Sequence, residues 1–360
     1  MRSESPTPPA AGARRLALAS LSSGQPMGQQ VYERELARRA PDQLGEGWKV
    51  GRVEVRTLRT TSPGTVRIPA RLLGDASPAL RRAAGQVMYR GHDVVHRLDL
   101  RLPPAPRPEV LTILDLAPWR YPDDGHAVAD AATTARRAAV VICPSQFSAD
   151  EVASELGVTD PVIIHLGVDE RFFDATPLPK RQLEDMGVRA PFIVHAGGCT
   201  QRKNLAGLAA AWPSVRSARP GTLLVLMGPP DERRDRLFAD LPGTVRLGRV
   251  DDAVVPAIMA AASAVVVPSV YEGFGLPALE GMAVGVPVVA VGRSSLPEVC
   301  ADGAYLVEPD AAALAAGLEA ALVGGAETRA TMRRGRARAA GFTWEASVAA
   351  HAAVWRSCVG

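Results

Sequence analysis

The sequence predicts an α/β protein made of two consecutive doubly wound domains, each built on a parallel sheet. Three observations carry this reading. Short apolar runs alternate with segments of helical periodicity, and this happens in two separate series. A polar stretch with two prolines and a double phenylalanine, GVDERFFDATPLPKRQLEDMG (167–187), separates the series. The 360 residues are enough for two cores.

In the first series LALASLS (16–22) is a buried strand, followed by the glycine-containing loop SGQPMG (23–28) and a helix through QQVYERELARRA. Further strands are expected at WKVGRVEVRTL, DVVHRLDL, EVLTILDLA, AAVVICPS and PVIIHLGV, with helices over 124–139 and 146–156. The second series places strands at FIVHAGG (192–198), TLLVLMGP (222–229), TVRLGRV (244–250), AVVVPSV (264–270), PVVAVG (287–292) and AYLVEP (304–309). Helices are expected over 204–218, 252–263 and 310–323, and TWEASVAAHAAVWRSC forms a last amphipathic helix. The expected organisation is a disordered tail (1–15), an N-terminal Rossmann-like domain (16–168), a linker (169–189), a C-terminal Rossmann-like domain (190–341) and a final helix (342–360) crossing back to the first domain.

Composition excludes several function classes. Apolar residues make up 47% and charged residues 22%, the balance of a globular protein, and a net charge of +3 is too small to argue for nucleic acid. The arginines scatter, and the run Arg333–Arg338 is expected to be a solvated helix face. Cys143, Cys199, Cys300 and Cys358 lie far apart, which fits a reducing cytosol and neither a zinc knuckle nor a disulfide framework. LALASL is too short for a signal sequence or membrane span, and no later run reaches about 18 residues. Any membrane contact would therefore be peripheral to the inner face. No D-x-D triplet occurs, so no metal is expected, and cationic side chains and helix dipoles would hold any phosphate.

Ligands of doubly wound sheets bind outside the strand C-terminal ends, so the strand-to-helix loops are the places to look. The loop YEGFGLPALEGM (271–282) follows a strand and opens a helix. Gly273 and Gly275 permit a tight turn, and Pro277 suits a first helical turn. The free amides of such a helix suit an anionic oxygen. Glu272 precedes the helix and Glu280 lies about one turn inside it, where a carboxylate can accept hydrogen bonds from two vicinal hydroxyls, as a ribose presents. Across from it CTQRKN follows FIVHAGG, and Arg202 and Lys203 there could neutralise a diphosphate leaving group. Two cations at a helix start oppose its dipole, which argues for a bound anion.

PSVYEGFGLPALEGMAVGVPVVAVGRSSLPEV resembles the E-x7-E region of retaining glycosyltransferases of family 4, which have the two-domain GT-B fold with domains facing across a cleft. The resemblance covers about 16 to 357 and is dense in the C-terminal half. It implies transfer of a sugar from a nucleotide-diphosphate sugar, a co-substrate in place of any cofactor, to a hydroxyl acceptor on a small molecule, lipid or glycan, with retained configuration. It also implies that Glu272 contacts the transferred sugar and Glu280 the ribose, that amides around Gly273, Phe274, Gly275 and Leu276 hold sugar hydroxyls and diphosphate, and that Lys203, with Arg202, meets the phosphates. Where the family often has an arginine after the strand glycine, this chain has Gly198 and then Cys199.

SSGQPMGQQVYEREL resembles the family's first glycine loop, making Gly24 and Gly28 candidates. VLTILDLAPWRYPDD resembles its strand–loop bearing a His-Asp pair; Asp115 remains, but Leu114 takes the histidine's place. An apolar Leu114 would suit a donor lacking a hydroxyl there, or would simply pack. His96 and His195 are expected to be satisfied structural residues, and Ser145 to cap a helix. Two alternatives stay open: a non-catalytic nucleotide-sugar-binding subunit, and a GT-B nucleotide-sugar epimerase. A dehydrogenase is disfavoured, since no G-x-G-x-x-G follows the first strand of either series.

Overall fold

The computed structural model describes residues 12–22, 28–58, 64–106 and 108–359. The expected tail therefore lies largely outside the described residues, as does Gly24. The chain resolves into two compact units. One comprises 1–112, 128–141 and 348–360; the other comprises 113–127 and 142–347.

The first sheet is formed by β1 (Arg14–Leu21), β2 (Trp48–Thr57), β3 (Val66–Ile68), β4 (Val94–Arg97), β5 (Glu109–Thr112), β6 (Val140–Cys143) and β7 (Val162–Ile163), in the order β3-β2-β1-β4-β5-β6-β7. β1 pairs in parallel with β2 on one side and β4 on the other. The chain thus reverses its winding direction between β1 and β4, as in a doubly wound sheet. Ala17, Ala19, Val53, Val55 and Val95 form a core on this sheet with Tyr89 and Leu102.

The second sheet contains β8 (Phe192–Ala196), β9 (Leu223–Met227), β10 (Thr244–Gly248), β11 (Ala264–Val267), β12 (Val288–Val291) and β13 (Tyr305–Val307), in the order β10-β9-β8-β11-β12-β13. Its winding reverses between β8 and β11, which pair in parallel through Ala264–Ile193 and Val265–Val194. Its central strands β8, β9, β11 and β12 are near-continuous apolar runs, as a sheet covered on both faces requires. Trp212, Leu208 and Val215 of the helix Leu205–Ala218 and Leu314 and Leu318 of the helix Ala311–Val323 pack together against Ile193, Leu224, Val266 and Val289.

Several strands end earlier than their apolar runs. Val94–Arg97, Glu109–Thr112 and Val162–Ile163 occupy only parts of the segments expected at 93–100, 109–117 and 161–168. The helix expected over 124–139 is confined to Ala131–Arg137. Pro122 opens a short 3-10 turn ahead of it, and Gly125 at φ 122° breaks the helical path. The strand Val66–Ile68 and the helix Pro78–Met88 are additions to the sequence reading, while the helix Glu232–Phe238 fills the gap between β9 and β10. The arginine run 333–338 does lie on a helix, Ala326–Ala340.

The last helix, Trp344–Ser357, gives its final turns to the first unit, where a buried polar relay anchors them. Trp355 Nε1 donates to His96 Nδ1 at 3.2 Å, so Nε2 of the neutral ring donates to Thr112 Oγ1 at 2.8 Å. Tyr32 Oη lies 2.8 Å from both Thr112 Oγ1 and His351 Nε2. Burial, and then the neighbouring His351, holds His96 well below the usual imidazole range, so the ring stays neutral. His96 is thus the satisfied structural histidine expected. Replacing Tyr32 by Phe would leave two buried partners short of a hydrogen bond, and urea unfolding should show a loss of about 1–3 kcal/mol.

Candidate functional site

The site in the second unit follows from the winding reversal. β8 and β11 are neighbours, and the loops at their C-terminal ends, 197–204 and 268–275, emerge side by side. The first loop carries Arg202 and Lys203, and the second carries Glu272. Lys203 Nζ donates to Glu272 Oε1 at 2.6 Å, and Arg202 Nη1 to Glu272 Oε2 at 3.0 Å. Arg202 Nε also donates to Asp124 Oδ2 at 2.9 Å. Lys203 and Glu272 are only 8% and 6% exposed, so the charges are compensated by one another and not by water.

This arrangement corrects one sequence argument. The helix after β8 begins at Leu205, capped by Asn204, whose Oδ1 accepts from Gly207 N. Arg202 and Lys203 sit before it in a 3-10 turn, and carboxylates of this chain balance them. Opposition to a helix dipole therefore gives no reason to invoke a bound anion.

The geometry of the Glu272 loop is held from several sides. Gly273 packs so closely on the 113–127 segment that a Cβ there would collide with the Leu114 carbonyl and lie 3.0 Å from Asp115 Cβ. Gly275, at φ +106°, turns the chain into the helix Leu276–Val284, with Pro277 in its first turn. Ser294 Oγ accepts from Glu272 N at 2.9 Å, while Ser295 Oγ, donating one proton, sits at 2.9 Å from Glu272 O and 2.8 Å from Phe274 O. Ser145 accepts from Ser148 N, as expected of a cap, and its own hydroxyl reaches the Gly273 carbonyl at 2.7 Å. Glu298, in the SSLPEV segment, accepts from Gln146 N at the same helix start, and His165 bonds it at 3.0 Å.

Electrostatics separate the carboxylates. Burial alone would raise Glu272, but Lys203 and then Arg202 outweigh it and hold the carboxyl at about 2. Burial raises Asp115, against the pull of Arg202, and its Oδ1 accepts from Ala117 N at 3.0 Å. Glu280 behaves oppositely to Glu272. Burial, then Asp252 and Asp169, push it up to about 8 against Arg171. Glu280 makes no hydrogen bond or ion pair with any described residue.

The structure thus brings Arg202, Lys203, Glu272, Gly273 and Asp115 into one cluster, with Gly198 in the adjoining turn and Phe274, Gly275 and Leu276 leading to Glu280. Gly28 begins the helix Gly28–Leu44 in the first unit. Asp123 and Asp124 were not singled out in the sequence. Asp123 Oδ2 accepts from Gln201 N at 2.7 Å and pairs with Arg233 at 2.9 Å. Their only signal was position, in the loop after a strand already suspected. His195 is buried as expected but only half satisfied: Nδ1 bonds the Val266 carbonyl at 3.2 Å, while Nε2 has no partner. Among the described residues, no group of three or more His, Cys, Asp or Glu is placed to hold a metal ion, and no helix is long and apolar enough to cross a membrane.

This pair of parallel α/β sheets is the fold of GT-B glycosyltransferases. Sucrose-phosphate synthase from Thermosynechococcus elongatus is similar with a TM-score of 0.74 and 22% identity, over 96% of this chain and 98% of that one. An Anabaena protein solved with UDP and glucose is similar with a TM-score of 0.74 and 17% identity, over 96% of this chain and 100% of that one. Residues 190–323, spanning β8 through the helix Ala311–Val323, match the glycosyl transferases group 1 model. O-antigen chain mannosyltransferase B of Escherichia coli is 36% identical over 176 residues, 47% of this chain and 45% of the relative. MMP alpha-(1->4)-mannosyltransferase of Mycolicibacterium hassiacum is 32% identical over 236 residues, 62% of this chain and 56% of the relative. The chain thus spans about half the length of these curated relatives.

The two acids should give opposite pH signatures. Glu272→Gln leaves Lys203 buried without a full counter-charge, and chemical unfolding near neutral pH should show a loss of about 3–5 kcal/mol. Because Glu272 is held below its unfolded value, its contribution is present above about 4.5 and is lost as pH falls toward about 2. Glu280 is raised, so the native state keeps a proton that the unfolded chain releases, and stability declines as pH rises through about 8. The Tm of Glu280→Gln should therefore gain on the parent as pH rises from about 5 to about 8 and hold that gain above it. A difference independent of pH would contradict the raised carboxyl.

Proposed function

We propose that the protein transfers a sugar from a nucleotide-diphosphate sugar to a hydroxyl acceptor with retention of anomeric configuration. The observation that carries the reading is the buried Glu272–Lys203–Arg202 cluster at the winding reversal, with Glu280 in the helix that follows the Glu272 loop. The group 1 domain and the mannosyltransferase relatives support the same reaction class.

In this reading Glu272 remains ionised throughout turnover, because two cations hold its carboxyl at about 2. A group so acidic does not serve as a proton donor; it accepts hydrogen bonds from sugar hydroxyls and orients them. Lys203 and Arg202 stabilise negative charge as the diphosphate departs, already fixed in place by Glu272 and Asp124. Such pre-organised charge needs no reorganisation at the moment of reaction. Glu280, protonated near neutral pH, both donates to and accepts from the vicinal hydroxyls of a ribose. The amides of Gly275 and Leu276, at the start of the helix Leu276–Val284, take a phosphate oxygen. Metal-independent transfer in the cytoplasm is part of the proposal.

The test is to incubate the purified chain with GDP-mannose, UDP-glucose and deoxy counterparts, with acceptor panels, and to follow nucleoside-diphosphate release and product anomer by NMR. Lys203→Met should lower kcat by about 100- to 1,000-fold. A retained anomer supports the mechanism and an inverted one overturns it. Donor binding without release, or interconversion of the donor sugar alone, would replace transfer with the binding-subunit or epimerase reading. A clear preference for fully hydroxylated donors would remove the special role of Leu114.

A further inference from the structure

The helix Pro78–Met88 of the first unit is built inside out. It buries a charged residue, Arg81, and Gly85, while Ala79, Leu80, Ala83 and Val87 face outward. Val87 is 79% exposed and Leu80 46%. Leu80, Ala83 and Val87, spaced i, i+3 and i+7, form one apolar stripe on the solvent side.

Two buried contacts hold this orientation. Arg81 pairs with Asp130, and its Nη2 donates to the carbonyls of Arg101 at 3.0 Å and Leu102 at 2.9 Å. Gly85 packs so closely on the 103–105 segment that a Cβ there would collide with the Pro104 carbonyl. Rolling the helix to hide Leu80 and Val87 would break a buried ion pair and drive side chains into backbone. The stripe therefore stays outward.

Charge around the stripe has one sign. Residues 64–92 hold five arginines and a single acid, Asp75. Arg82 and Arg90 are exposed and form no ion pair with any described residue. Asp130 and Glu109, which line a small cavity with Pro78 and Arg82, are taken by Arg81 and Arg97. The 11-residue helix offers a strip about 16 Å long and about 10 Å wide, far short of the about 800 Å² per partner of a stable protein interface. A second copy would also set its own arginines against these. An anionic bilayer receives a short apolar strip flanked by cations without either difficulty.

We propose that the helix Pro78–Met88 lies in the plane of an anionic lipid surface. Leu80 and Val87 enter the boundary between head groups and acyl chains, and Arg82 and Arg90 meet the head-group phosphates. This docking surface is independent of the sugar-transfer reading and stands or falls without it.

Co-sedimentation of the full chain with mixed phosphatidylglycerol–phosphatidylcholine vesicles, beside vesicles of phosphatidylcholine alone, tests it. The parent chain should bind the mixed vesicles, and more weakly as salt is raised. Leu80→Asp and Val87→Asp should each lower partitioning by about 10-fold or more. Arg82→Gln and Arg90→Gln should each lower it by about 5-fold at low salt. All four side chains are exposed, so each variant should keep the parent's circular dichroism. No binding to the mixed vesicles overturns the proposal, as does equal binding to phosphatidylcholine alone or parent-like binding by the aspartate variants. Self-association in sedimentation velocity that Val87→Asp abolishes, without vesicle binding by the parent, would give the strip to a second copy and overturn it as well.

Discussion

A buried carboxylate shared by two cations is the constraint around which the second unit is arranged. Glu272 is nearly withdrawn from water, and an isolated carboxylate there would cost several kcal/mol. Lys203 and Arg202 offset that cost only because β8 and β11 are neighbours and deliver their loops to the same place. The parallel order of the sheet is therefore an electrostatic requirement as much as a packing result. Gly273, which must approach Leu114 closely, and Ser294 and Ser295, which grip the loop backbone, fix the carboxylate where both cations reach it.

The same loop places a second acid under opposite conditions. Glu280 lies one helical turn beyond the glycines, with Asp252 and Asp169 near it and no cation paired to it. One stretch of chain thus presents a permanently charged carboxylate and a readily neutralised one. Two carboxyl groups of identical chemistry acquire different work from their surroundings alone. Neutral and charged acceptors side by side suit a ligand that carries both hydroxyl and phosphate groups.

The sheets and most helices were legible because apolar runs and helical spacing are local properties. The candidate loops were legible for the same reason: a glycine-bearing segment between a strand and a helix has one place to be in a doubly wound sheet. Strand ends were less so. The residues after Arg97 and Thr112 remain apolar, but they leave the ladder to build loops, and periodicity does not register that change. The partners were not legible at all. Asp124 meets Arg202 across 78 positions and Lys203 meets Glu272 across 69, distances over which a single sequence carries no pairing signal. The dipole argument for Arg202 and Lys203 failed at this point, since it weighed the cations without the acids that tertiary folding supplies.

By itself the sequence determined the α/β class, the two series of elements and the loops able to carry chemistry, because periodicity, glycine freedom and proline position act within a few residues. Only the tertiary structure decided which charges are spent on one another and which remain available. Glu272, Lys203, Arg202 and Asp124 form one closed set, while Glu280 makes no ion pair with any described residue. That division depends on distances of about 3 Å between groups remote in the chain, and burial and Coulomb energies are set by those distances.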